Sequence, residues 1–336
     1  MPKVFKMKIK VGVIGGSGYT GGELLRLLLI HPNVELHFVV SRSFAGQQLS
    51  KVHPDLLGSQ AFEFCEAPTA GADVWFLCLP HGQSVTFLEN YAAMISEELK
   101  IIDLSNSFRL SSDAKFGQRE FVYGATEIHR AKIQKANSIA NPGCFATAIN
   151  LALAPLFHNE LVGVNQEVHI NAVTGSTGAG IKPSATAHFS YRNNNFSWYK
   201  PFSHQHLDEI AETVYNKAQA SKENLHFLPH RGDFTRGIFA TAYTKIDCAF
   251  DEVVSAYEAF YEQAPFTHVC PDELQLKQVV NSNNCHIHLM QHQDKILITS
   301  VLDNLLKGAS GQAVENMNLI FGLDQQTGLQ LKTSIF

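Results

Sequence analysis

The 336-residue sequence predicts an α/β chain in two parts: an open, doubly wound parallel sheet, then an α+β region on a mixed or antiparallel sheet. Three observations carry that expectation. Near the start, a run of β-formers leads into a glycine-rich turn, an apolar helix pattern and a second β run. Short, continuously apolar strands then recur. In the second half, long alternating β stretches dominate, with two amphipathic helix patterns between them.

The first unit is "KIKVGVIGGSGYTGGELLRLLLIHP". Ile9 to Ile14 reads as a strand, and Leu24, Leu25, Leu27 and Leu28 as the apolar side of a helix that His31-Pro32 ends. "VELHFVV" (34–40) is the second strand. Between strand and helix stand Gly15, Gly18 and Gly21, at three-residue spacing. Glycines there let the backbone approach a pyrophosphate, and the helix N-terminus supplies N–H donors. A Rossmann-type dinucleotide site is therefore expected, with Gly15, Gly18, Tyr19, Thr20 and Gly21 as its contacts. A site for NAD usually ends its second strand on a carboxylate for the ribose hydroxyls. Here Val40-Ser41-Arg42-Ser43 follow, and Ser41 and Arg42 suit a 2′-phosphate, so NADP is the expected cofactor. A solvated loop arginine would read the same way.

"ADVWFLCLPHG" (72–82) is a third strand ending in Pro80-His81-Gly82, and "KIIDLSNSFRL" (100–110) a fourth. Ligands of open parallel sheets gather at the carboxyl ends of the strands. Pro80 is thus expected near the cofactor, and Ser105 and Arg109 near an anionic substrate. A surface ion pair would equally explain Arg109.

"NSIANPGCFATAINLALAPLF" (137–157) reads as a short strand, a Pro-Gly turn and an apolar helix with Cys144 in its first turn. Unpaired N–H groups and the positive end of the helix dipole favour a thiolate there. The alternative is a small buried hydrophobe, the common fate of a free cysteine.

The second region carries the β stretches "EVHINAVTG", "LHFLPH", "GIFATAYTKID", "CHIHLMQ" and "KILITSVLDN". "VTGSTGAGIKPSA" is a second glycine-rich loop, whose Gly175 and Ser176 could donate to a phosphate or an oxyanion. It could instead be a flexible connection. Residues 203–218 read as a helix with an apolar stripe of Leu207, Ile210, Ala211, Val214 and Ala218. On it His206 and Glu209 are i, i+3 neighbours, and His204 and Asp208 are i, i+4 neighbours. Either pair could serve as an acid/base, since a carboxylate orients an imidazole and raises its pKa. Another helix is expected over 251–264. "YRNNNFSWYK" (191–200) reads as a surface loop or interface. His286 and His288 alternate on a strand and read as a polar face, so no metal site is expected.

Composition narrows the class. Hydrophobic residues make up 45% and charged residues 17%, as in an ordered globular protein. The formal charge is −5 with no Lys/Arg block, which argues against nucleic acid. No stretch approaches the roughly 18 apolar residues of a membrane span. Six cysteines lie far apart without a CxxC pair, which fits a reducing cytoplasm. The basic start is interrupted by glycines and shows no cleavage site; Met7 could be an alternative start, leaving residues 1–6 without an expected role.

Taken in order, "VGVIGGSGYTGGELLRLL", "DLSNSFRL", "NPGCFATA", "TGSTGAG", "HQHLDEI", "FLPHRGDFTRGI" and "DNLLKGASGQAVENMN" resemble the N-acetyl-gamma-glutamyl-phosphate reductase family of arginine biosynthesis, over nearly the whole chain. His204–Ile210 stands where the family carries an "HRHTPEI"-like segment, and Arg231 where leucine is usual. The resemblance implies a glyceraldehyde-phosphate/semialdehyde dehydrogenase-like fold. Residues 1–143 and 304–336 would bind NADP, and residues 144–303 would form the catalytic and oligomerisation domain. It implies reduction of an acyl phosphate to an aldehyde through a thioester on Cys144, with release of inorganic phosphate. His206 with Glu209 is the preferred acid/base, and His204 the alternative. Arg109 and Arg236 suit the substrate's phosphate and carboxylate as bidentate partners. The last helix, around 304–318, would return to the nucleotide domain and set Asn304 near the nicotinamide. A homo-oligomer, dimer or tetramer, is implied. Three rivals remain: aspartate-semialdehyde dehydrogenase, whose cysteine segment usually lacks the Pro-Gly pair; a reductase of another N-acyl (succinyl) or aminoadipyl phosphate; and a non-enzymatic NADP-binding protein.

Overall fold

The computed structural model describes residues 8–217 and 220–336. The expectations for residues 1–6 and for Ala218 lie outside the described residues. The first part contains strands β1 (Ile9–Ile14), β2 (Val34–Val40), β3 (Val74–Leu77) and β4 (Lys100–Asp103). A small hairpin follows, β5 (Lys115–Phe116) with β6 (Arg119–Glu120), then β7 (Val122–Tyr123) and β8 (Ser138–Ala140). Six of these form one parallel sheet in the order β2-β1-β3-β4-β8-β7. The β2-β1-β3 order, with the Tyr19–Leu28 helix crossing between β1 and β2, is the expected doubly wound pattern.

Local sequence explains where these strands stop and shift. β4 ends at Asp103 because that carboxylate accepts both the backbone N–H and the hydroxyl of Ser105, turning the chain out of the sheet. β1 slips register against β2 at Val11/Gly12. A Cβ on Gly12 would lie 2.2 Å from the Phe38 ring, so the strands close only over a glycine.

The second part holds β9 (Val168–Thr174), β10 (Ser197–Trp198), β11 (Leu225–Arg231), β12 (Ile238–Lys245), β13 (Thr267–Val269), β14 (Cys285–His292) and β15 (Lys295–Leu302). They form one mixed sheet, β10-β11-β9-β12-β15-β14-β13. β11 runs parallel to β9 and β13 parallel to β14; the other pairs are antiparallel. β9, whose residues alternate strictly between buried and half-buried, presents Val168, Ile170 and Ala172 to the core.

The helix Cys144–His158 is buried at every position from Phe145 to Phe157. Its apolar residues surround the whole circumference because it lies between this sheet and the helices His206–Val214 and Phe250–Tyr261. Pro155 within it removes the N–H that Leu151 O would accept, and the Tyr261 hydroxyl donates to that carbonyl instead, at 2.5 Å. The final helix begins later than expected. A π-helical turn, Leu306–Ser310, precedes Gly311–Ile320, which packs against the helices Thr126–Ile133 and Tyr19–Leu28 of the first part. Among the described residues, no helix is long and apolar enough to cross a membrane, and no cluster of three ligands could hold a metal. All six cysteines are free thiols.

Candidate active site

A cavity of about 610 Å³ opens where the carboxyl end of β1 meets the start of the Cys144 helix. Gly15, Gly18, Tyr19 and Thr20 line one side, Cys144 and His206 another, and Pro80 and Asn304 also face it.

The glycine turn fits a nucleotide. Gly15 has φ +79°, and a Cβ there would lie 2.5 Å from Cys78 O, so two constraints demand glycine. Gly18 caps the helix with no side chain over its N–H groups and no acid in the first turn, which leaves those donors open to an anion. Gly21 does not face the cavity. A Cβ there would meet Gly15 O and the Gly16 Cα at 2.7 Å, so it is the packing glycine between helix and strand. Beyond β2, the buried Ser41 donates to the Ser17 hydroxyl at 3.0 Å, and Ser17 lines the cavity. Arg42 is exposed and does not line the cavity, while Ser43 does.

Cys144 is the first residue of its helix, behind Gly143 as N-cap. Burial pushes its thiol up to about 11, while the Arg109 guanidinium and the backbone N–H groups of Cys144 and Phe145 pull it down. The helix N-terminus is thus present as expected, but it does not outweigh desolvation in the free protein. His206 opens the helix His206–Val214, and its ring lies against Gly143: a Cβ there would be 2.4 Å from His206 Nε2. Burial first, then Arg109 and His204, holds this imidazole well below its ordinary range. The rise expected from Glu209 is therefore reversed. Nε2 lies 3.6 Å from Glu209 Oε1, and Nδ1 is buried without a partner among the described residues. A neutral imidazole that lines the same cavity as a neutral thiol is able to accept a proton there.

Glu209 is held on every side. Oε1 accepts from Arg109 Nη1 at 3.1 Å, and Oε2 accepts from the Tyr123 hydroxyl at 2.8 Å and from Gly143 N at 3.1 Å. It orients its neighbours and is not itself open to solvent. Arg109, which lines the cavity, also donates to Asn141 O and Leu104 O. His204 sits just before the helix, not on it. Its Nδ1 accepts the His206 backbone N–H at 3.2 Å, its ring centroid lies 4.6 Å from that of His206, and it too faces the cavity. Its expected partner Asp208 instead pairs with Lys222.

Four of the expected substrate residues lie off the cavity wall. Arg236 does not line the cavity: its Nε and Nη2 donate to Asp303, and its Nη1 to Glu23, so its fork is occupied by the protein's own carboxylates. Ser105 is fully buried, bonded to Asp103, Ser84 and Ser107. In the second glycine loop, Gly175 packs against the backbone of Thr235, and the Ser176 N–H donates to Phe234 O; Thr177, Gly178 and Lys182 face the cavity in their stead. Tyr123 and Asn141 escaped the sequence reading. Tyr123 lies on a two-residue strand 86 positions from Glu209, which no periodicity could reveal. Asn141 stands beside the noticed Pro-Gly turn and ties it to Ala309 O through Nδ2.

Comparison with known proteins places this chain in a family. The NAD binding domain of semialdehyde dehydrogenases matches residues 10–136, and the semialdehyde dehydrogenase dimerisation domain matches residues 144–304. An N-acetyl-gamma-glutamyl-phosphate reductase of Flavobacterium johnsoniae is 52% identical over 98% of this chain and 100% of its own length. One from Christiangramia forsetii is 51% identical over the same shares. Among solved structures, aspartate semialdehyde dehydrogenase II from Vibrio cholerae superposes with a TM-score of 0.72 at 15% identity, over 94% of this chain and 99% of that one, a likeness of fold. The chain belongs to the N-acetyl-gamma-glutamyl-phosphate reductase family of semialdehyde dehydrogenases.

Proposed function

We propose that this protein reduces N-acetyl-gamma-glutamyl phosphate to N-acetylglutamate 5-semialdehyde with NADPH, as an enzyme of arginine biosynthesis. The observation that carries the reading is one cavity lined by both the open glycine turn and Cys144, with a neutral His206 packed on Gly143. Neutral His206 accepts the Cys144 proton, and the sulfur attacks the acyl phosphate carbonyl. Inorganic phosphate leaves, and a thioester remains on Cys144. When bound, the nicotinamide supplies the hydride that reduces the thioester. His206 then returns its proton to the departing sulfur. Arg109 and the N–H groups at the head of the Cys144 helix face the negative charge that develops on the carbonyl oxygen.

Several assignments support this reading. Cofactor binding belongs to residues 1–143 with 304–336, and catalysis and oligomerisation to 144–303. NADP is favoured over NAD because β2 ends without a carboxylate and Ser41, Arg42 and Ser43 follow it. The dimerisation domain that matches the second part supports a homo-oligomer, a dimer or a tetramer. Six free cysteines suit a reducing cytoplasm.

Purified protein should oxidise N-acetylglutamate semialdehyde in the presence of NADP and phosphate, and Cys144→Ser should abolish the reaction. N-succinylglutamate and aspartate semialdehydes complete the panel. Turnover of N-succinylglutamate semialdehyde alone would change the acyl group, and turnover of aspartate semialdehyde alone would overturn the reading. A fully active Cys144→Ser enzyme would remove the nucleophile.

A further inference from the structure

Arg236 joins the two halves of the cavity from behind. Its side chain donates twice to Asp303, at 3.1 Å each, and once to Glu23 at 2.9 Å. Glu23 lies on the Tyr19–Leu28 helix, whose N-terminus is the glycine turn. It is buried, and the Arg236 and Arg26 guanidiniums hold its carboxyl below the usual range despite that burial. The backbone on either side of Arg236 holds the opposite wall. Thr235 O accepts both the N–H and the hydroxyl of Thr177, and Gly237 O accepts the Gly175 N–H. Gly237 N donates to Asn304 Oδ1 at 2.7 Å, and Asn304 Nδ2 returns to the Thr177 hydroxyl at 3.0 Å. Asp303, fully buried, also accepts the N–H groups of Asn281, Leu305 and Leu306, so it fixes the chain on both sides of Asn304.

We propose that Arg236 is a positioning residue for hydride transfer: its side chain anchors the helix of the first glycine turn, its flanking backbone anchors the 174–182 loop, and together they set the spacing between cofactor and thioester. The inference rests on the reductase reading above. Arg236 touches neither the cavity nor Cys144, so its effect passes through the two loops. A hydride donor displaced by about 1 Å can slow transfer by about 100-fold. A helix tethered by fewer bonds samples such displacements without losing its fold.

Glu23→Gln keeps size and removes the charge that ties Arg236 to the helix; Arg236→Lys keeps the charge and removes the fork. In both, kcat should fall by about 10-fold or more, and the primary isotope effect with 4-deuterated NADPH should rise as hydride transfer becomes limiting. Cys144 alkylation by iodoacetamide should stay within about twofold of wild type. Hydrogen exchange supplies a readout that needs no turnover. NADPH should protect both the glycine turn and residues 174–182 in wild type, but only the turn in Glu23→Gln. An unchanged isotope effect in both variants, or NADPH protection of 174–182 that survives Glu23→Gln, overturns the proposal. So does a loss of activity, alkylation and melting temperature in common proportion, which would mark a merely structural link. An inactive wild type would instead refute the reductase reading, and the exchange experiment would still decide the coupling.

Discussion

Gly143→Ala tests the site with a single methyl group. Gly143 has φ −70° and ψ 151°, an extended conformation that alanine adopts freely, so the backbone itself gains no strain. The effect comes from space. The added Cβ would lie 2.4 Å from His206 Nε2, 2.5 Å from its Cε1 and 2.7 Å from Arg109 Nη1. Ordinary carbon contacts begin near 3.5 Å, so the imidazole must retreat by about 1 Å, taking with it the ring that accepts the Cys144 proton. A displacement of that size is worth about 100-fold in kcat. Arg109 moves as well, and with it the cation that opposes desolvation of the thiol. Steady-state kinetics with N-acetylglutamate semialdehyde, NADP and phosphate would be measured beside NADPH binding by fluorescence quenching. The glycine turn is untouched, so NADPH affinity should stay within about threefold, a ΔΔG under about 0.7 kcal/mol. An alanine enzyme with wild-type kcat would refute the packing of His206 on Gly143, and an equal loss of NADPH affinity would refute the separation of the two sub-sites.

Three further outcomes are expected. Cys144 in the free protein, with its thiol pushed up to about 11, should react with iodoacetamide about 100-fold more slowly at pH 8 than an ordinary thiol near 9. The rate should climb about tenfold per pH unit through pH 10, and Arg109→Met, which removes the stabilising cation, should slow it further; a plateau near pH 8 would contradict the burial argument. His206→Asn should lower kcat by about 100-fold or more with little change in NADPH affinity, whereas His204→Asn should act less strongly; the reverse order in steady-state kinetics would make His204 the acid/base. Lys307→Met should destabilise the fold by about 3–5 kcal/mol, read by urea unfolding, because it leaves Glu127 and Glu315 buried without the ammonium they share at 2.6 and 2.7 Å. A loss under about 1 kcal/mol would show that the carboxylates find other partners.

Local features made much of this legible. The Gly15–Gly21 turn, the Pro-Gly-Cys segment and the His204–Glu209 stretch each announce themselves within a few residues, because tight turns and helix starts restrict residue type locally. What sequence does not reveal here is where a side chain's distant partners lie. Residue type alone makes Arg236 a substrate ligand, but the carboxylates that occupy it lie 67 and 213 positions away. The position of Ser105 after a strand suggests a ligand site, but Asp103 and Ser84 turn it inward. The sign of the His206 shift is hidden for a similar reason. An i, i+3 carboxylate is visible in sequence, but the burial that outweighs it, and the Arg109 that competes for that carboxylate, are assembled from four separate segments. The two-residue strand β7 is not legible because it carries no period, yet it delivers Tyr123 to Glu209.

The charge inventory explains why an unreactive resting thiol suits this chemistry. The buried set already contains one ion pair, Arg109 with Glu209 at 3.1 Å, while burial keeps Cys144 and His206 neutral. A permanent thiolate–imidazolium pair would need two more charges in a site that has already drawn Glu209 and Arg109 out of water. An acyl phosphate changes that balance. Its carbonyl turns sulfur's charge into a covalent bond, and its leaving phosphate carries charge away. The proton on His206 is then needed only until the sulfur departs. Arg109, donating to Glu209 and to the carbonyls of Leu104 and Asn141, keeps its guanidinium fixed while these charges come and go, so it needs no reorganisation when the oxyanion forms. Desolvation that silences the cysteine in the empty site is therefore the same property that strengthens every dipole aimed at the transition state once substrate fills it.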